Sequence, residues 1–154
     1  MKRDPRPGRL LETRSLSLSV GRATIDRAVQ KSHTIGCVTC VAVVDAAGHL
    51  LSFDRMDGAP LLSAQLAQDK AYTVAANGLA SHEWWEMIQD EPSLVYGIGK
   101  IDRLIIFGGG LPIVFNNELI GAIGVSGRST MQQDIAIAQV GVQAALSALR
   151  PVAD

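Results

Sequence analysis

Hydrophobic and polar positions follow helical spacing at three places in the chain and strand spacing between them. Leu18, Gly21, Ile25, Ala28 and Val29 fall on one face of a helix predicted from about residue 17 to 32. After Gly36 the run Val38-Thr39-Cys40-Val41-Ala42-Val43-Val44 is β-branched and apolar throughout, which predicts a central strand. Asp45-Ala46-Ala47-Gly48 is a turn, and residues 49–54 return as the second strand of a hairpin. Residues 55–60 are a loop. Ala64, Ala67, Ala71, Ala75 and Gly78 then place small residues along one face of a helix from about 61 to 77, ended by Asn77-Gly78. Ser81 is positioned to cap a short helix over 81–88, and residues 89–102 form an irregular stretch. Three strands are predicted at 103–107, 111–115 and 118–125, the last two joined by an Asn116-Asn117 turn. Met131, Ile135, Ala138, Val142, Ala145 and Leu149 mark a final helix that Pro151 terminates. Hairpins dominate this α-β-β-α-α-β-β-β-α order, so the fold class is α+β, a largely antiparallel sheet with helices on its faces.

Composition narrows the function. The chain has 154 residues, enough for one domain, expected over 16–150 behind a flexible basic tail at 1–15. Fourteen basic residues balance fifteen acidic ones, which gives no excess to neutralise nucleic-acid phosphates. No apolar run approaches the roughly 20 residues a spanning helix needs, and no signal-peptide core follows the N-terminus. A cytoplasmic protein without membrane or nucleic-acid partners is expected. The mean hydropathy of +0.20 with only 19% charged residues points to apolar surface covered by other copies, and the stripe from Ala64 to Gly78 is one candidate face.

Several clusters are candidates for chemistry. Cys37 and Cys40 have C-x-x-C spacing, but Cys40 lies in a strand, where residues three apart face opposite ways, so two buried small hydrophobes are expected. His33, His49 and His82 are scattered without helical i, i+4 partners, and no metal site is expected. Gly108-Gly109-Gly110 can aim backbone N–H groups at an anion or form a sheet corner. Residues 124–130 join a strand to the last helix, where Ser126, Gly127 and Arg128 sit near a positive helix end that Thr130 and Gln133 are spaced to cap. Arg55 and Asp57 precede the helix that carries Ser63 and Lys70, and an Asp–Lys pair there can move a proton or form a salt bridge. One site is expected where the 55–60 loop, the glycine triplet and the 124–128 junction converge. In it Asp57 and Lys70 are the catalytic candidates. Arg55, Gly109, Gly110, Ser126, Gly127 and Arg128 bind the ligand, and Trp84 and Trp85 form an apolar wall.

The ordered segments from Val41 to Leu51, Arg55 to Ala59, Asp69-Lys70-Ala71, Gly109 to Ile113, Ile120 to Gly127 and Gln133-Asp134 resemble the GlcG/HbpS family. This is also called the haem-degrading domain family and includes the C-terminal domain of PduO-type proteins. The resemblance implies a profilin-like, three-layer α/β/α sandwich around a five-stranded antiparallel sheet, and homo-oligomers from tetramer to octamer. It implies haem as a possible cofactor, with His33 in the neighbourhood of family haem ligands. The family's motif residues here are Arg55, Asp57, Lys70, Gly109, Gly110, Pro112, Gly124, Ser126, Gly127 and Asp134. Three readings stay open. One is a protein binding haem or another small anionic ligand. The second is a cofactor-independent lyase or isomerase acting by proton transfer on a small carboxylated or oxygenated catabolite. The third is a non-catalytic oligomeric assembly module.

Overall fold

Helix α1 (Leu18–Thr34) starts at Ser17, whose hydroxyl accepts the Val20 amide. The structure, a computed structural model, describes Gly8 and residues 10–149, so most of the expected basic tail, and Pro151, lie outside the described residues. Strands β1 (Val38–Asp45) and β2 (Leu50–Arg55) form the predicted hairpin. Helix α2 (Leu61–Asn77) stops where predicted, because Gly78 takes φ +83. Two one-and-a-half-turn helices follow, α3 (Glu83–Ile88) and α4 (Pro92–Gly97). Strands β3 (Gly110–Phe115) and β4 (Glu118–Arg128) are joined by Asn116 and Asn117, both at positive φ. Helix α5 (Met131–Ala148) begins with the capping box of Thr130 and Gln133.

The four strands are antiparallel in the order β2-β1-β4-β3. Helices α1 and α5 cover one face and α2 the other. Strand β1 serves both cores: Val41 and Val43 pack under α1 and α5, while Cys40, Ala42 and Val44 pack under α2. Burial on both faces is why this antiparallel strand reads as a continuous apolar run. Cys37 and Cys40 are buried in opposite cores, as the strand spacing requires.

Three expectations are corrected. The fifth strand, predicted at 103–107, is absent. Thr73 Oγ1 donates to Arg103 O and accepts the Ile105 amide, both at 2.9 Å, so the segment is stitched to α2 instead of a sheet edge. Ser81 does not cap its helix; its hydroxyl accepts the Gly110 amide at 2.9 Å. The small-residue stripe of α2 is not left for another subunit, because Ala67 and Ala71 pack against this chain's own sheet. That packing is close: a Cβ at Gly124 would lie 1.9 Å from Ala67 O.

Candidate functional site

The segments singled out in the sequence do meet at one end of the sheet. Arg55 and Ser126 both pair with Cys40, and in the next rows Gly124 pairs with Ala42 and Gly110 with Gly124. Arg128 Nε donates to Gly58 O at 3.4 Å and ties the junction to the 55–60 loop. The strand order nevertheless divides the expected single site. Arg55 is on edge strand β2 and Gly110 on edge strand β3, three strand spacings or roughly 14 Å apart.

At the β3 edge, Lys70 is 1% exposed. Its Nζ donates to Val125 O at 2.8 Å and to Asp134 Oδ2 at 3.0 Å. Ser129 Oγ donates to the other oxygen of Asp134. Lys70 comes from one helical layer and Asp134 from the other, so the pair links the two layers. Burial pushes the Lys70 ammonium below the ordinary lysine range, against the opposing pull of Asp134. Burial likewise pushes the Asp134 carboxyl up, against Lys70 and Ser129. The expected Asp57–Lys70 pair is therefore not formed: Asp57 is exposed on the β2-edge loop, and the partner of Lys70 is Asp134.

The glycines of this edge make room for the protein itself. A Cβ at Gly109 would sit 2.8 Å from Lys70 Nζ, and one at Gly110 would sit 2.7 Å from Lys70 O. The Gly110 amide is taken by Ser81, and Gly109 O accepts the Val125 amide. Gly127 lies against β1, where a Cβ would meet Val38 O at 2.3 Å. Ser126 is buried and Arg128 exposed. The two tryptophans separate: Trp85 lines a groove of about 480 Å³ with Ile106, Phe107 and Met131, whereas Trp84 holds a buried Nε1 without a partner.

At the β2 edge, a cleft of about 530 Å³ opens between the end of α1 and the 53–57 segment. Val29, Val38, Phe53 and Met56 form its walls, and His33, Asp54, Arg55 and Asp57 line it as well. Arg55 is held by Nε and Nη2 donating to Ala59 O at 3.2 and 3.0 Å, which leaves Nη1 for another group. Met56 is fixed from below, its sulfur accepting the Thr39 amide at 3.3 Å and facing Thr39 Oγ1 at 3.5 Å. Sequence reasoning placed Arg55 and Asp57 in one site but did not join His33 to them. It also missed the pairing of Lys70 with Asp134, which lie 64 residues apart. No group of three or more His, Cys, Asp or Glu side chains suited to a metal ion occurs among the described residues. No helix there is long and apolar enough to cross a membrane.

Known proteins resemble this chain over most of its length. It is 34% identical over 130 residues to an uncharacterized 15.0 kDa protein of the dhaT-dhaS intergenic region of Citrobacter freundii, covering 83% of this chain and 90% of that one. The crystal structure of Klebsiella pneumoniae protein ORFY superposes with a TM-score of 0.85 at 33% identity, over 93% of this chain and 98% of that one. The crystal structure of a PduOC:heme complex superposes with a TM-score of 0.77 at 32% identity, over 84% of this chain and 94% of that one. The family profile described as haem degrading protein HbpS-like matches residues 16–143, and the chain belongs to that HbpS-like family.

Proposed function

We propose that this protein binds haem, or a similarly planar anionic tetrapyrrole, in the cleft at the β2 edge. The observation that carries the reading is the meeting of an exposed imidazole, His33, with apolar walls and a cation in one cleft. A tetrapyrrole needs those three things: apolar faces for the ring, a nitrogen donor for the iron and positive charge for its carboxylates. Val29, Val38, Phe53 and Met56 supply the faces, His33 the donor and Arg55 the charge. The solved haem complex of a relative 32% identical to this chain supports the same reading. Bound haem supplies the iron and its redox chemistry. The chain's own residues orient the ring, exclude water from its faces and neutralise its carboxylates. Hydrogen exchange read by mass spectrometry tests the placement. Haem is expected to protect peptides covering 29–38 and 53–57. Protection confined to the groove around Trp85 and Phe107, or no protection, overturns it.

The same proposal includes self-association. Leu61, Leu62, Tyr96 and Ile101 are large apolar residues exposed on one protomer, and they give a second copy something to bury. Light scattering is expected to find an oligomer; only a 16.3 kDa species in solution contradicts this.

A further inference from the structure

The buried Lys70–Asp134 pair takes no part in the haem cleft, and it lies directly behind the groove at the opposite edge of the sheet. Two of the three Nζ hydrogens of Lys70 are engaged, by Val125 O and Asp134. The remaining side faces the Phe107 ring, whose centroid is 5.2 Å from Nζ. Phe107 is itself 46% exposed and lines the groove together with Trp85, Ile106, Met131, His82 and Glu86. One aromatic ring thus separates a desolvated amine from an open apolar groove. That ring is carried on the segment that failed to become a strand. The segment is held by Thr73 at Arg103 and Ile105, and by Arg103 Nε donating to Asp69 Oδ1 at 2.9 Å. Gly108, next to Phe107, is packed against Met131 and Ile135 of α5, so the backbone is held and only the half-exposed Phe107 side chain is free to turn.

We infer that this groove is a second ligand site, for a small aromatic or otherwise apolar aldehyde or ketone, captured as an imine on Lys70 when Phe107 swings aside. Asp134 Oδ2, at hydrogen-bond distance from Nζ, takes a proton from the ammonium. The freed nitrogen lone pair attacks the carbonyl carbon, the C=O π bond opens onto oxygen, and one of the nitrogen's two protons passes to that oxygen to give a hydroxyl. Asp134 returns its proton to that hydroxyl, which leaves as water as the C=N bond forms. The lysine ammonium and the carbonyl compound become a protonated imine and one water, with no change of oxidation state. Burial favours the neutral amine that this step needs, in agreement with the direction of the Lys70 shift.

Benzaldehyde with cyanoborohydride, which delivers hydride to an imine and fixes it as a benzylamine, is the probe. Peptide mapping of the intact protein is expected to find the benzyl group on Lys70 ahead of the more accessible Lys31 and Lys100. Lys70→Arg is expected to lose that adduct. Two substitutions at partly exposed positions do not threaten the fold and move the rate in opposite directions: Phe107→Ala speeds labelling of Lys70, and Trp85→Ala, which removes a groove wall, slows it. Labelling that prefers Lys31 and Lys100, or Lys70 labelling that neither Phe107→Ala nor Trp85→Ala changes, overturns the inference. Each outcome is independent of whether haem binds at the other edge.

Discussion

Replacing Gly124 with alanine drives a methyl group into the backbone of α2. The new Cβ would lie 1.9 Å from Ala67 O and 2.7 Å from Ala71 N, and real Cβ contacts stay beyond 3.0 Å. Neither atom belongs to a side chain that can rotate away, so α2 must retreat by about 1.1 Å at the least. Ala67, Ala71 and Val74 would then draw back from Ala42 and Ala122, in a core where every one of these residues is fully buried. A gap of that size forfeits about half of the dispersion attraction across the interface. Overpacking normally costs about 1 to 3 kcal/mol, and a backbone clash in a core this thin belongs at the upper end. With a urea slope of roughly 2 kcal/mol per molar, a loss of about 3 kcal/mol lowers the unfolding midpoint by about 1.5 M. Gly99→Ala is the control, since its Cβ meets nothing within 4 Å. Equilibrium urea unfolding at one fixed protein concentration compares the two, because assembly would make midpoints depend on concentration. A Gly124→Ala protein that unfolds at the same midpoint as Gly99→Ala would refute the argument that glycine sets the height of α2, and of Lys70, above the sheet.

Lys70→Met leaves Asp134 buried without its cation and is expected to cost about 3 to 5 kcal/mol, whereas Lys70→Met combined with Asp134→Leu recovers most of that loss. Thermal unfolding of the single and double variants checks this, and strictly additive losses contradict it. Burial pushes the Asp45 carboxyl up, but the amides of His49 and Ala47 and the His49 ring outweigh it, so its folded pKa lies below the ordinary 3.8. Its stabilisation is complete above that ordinary value and is lost as pH falls through the folded one. Asp45→Asn is therefore less stable than the parent at neutral pH, with a difference that shrinks below pH 3.8. A difference constant across a pH series of urea unfolding curves rules this contribution out.

Local signals in the sequence were legible where one or two residues decide the geometry. Asn77-Gly78 ends α2, Asn116-Asn117 turns the last hairpin, and Thr130 with Gln133 caps α5, because left-handed turns and helix ends accept few residue types. The apolar run of β1 predicted a central strand, while the three-layer arrangement was what the family resemblance implied. What was not legible depends on which strands are neighbours. Arg103 to Phe107 has a strand's composition, and contacts with Thr73 and Asp69, some thirty residues earlier, hold it to α2 and off the sheet. A glycine triplet reads the same whether a ligand or a helix approaches it; here α5 meets Gly108, and α2 with Lys70 meets Gly109 and Gly110. Lys70 and Asp134 stood out separately through the family resemblance, but residues 64 apart carry no local sign of pairing. His33 and Arg55 come together only because β2 is an edge strand beside the end of α1.

Titration of ferric haem into the protein, followed by Soret absorbance, tests the central claim most directly. The parent chain is expected to give a saturable, shifted Soret band. His33→Ala is expected to lose that shift while retaining the fold, because His33 is exposed and contributes nothing to either core. A Soret band in His33→Ala identical in position and affinity to the parent's, or no saturable band in the parent, contradicts haem binding in the β2-edge cleft.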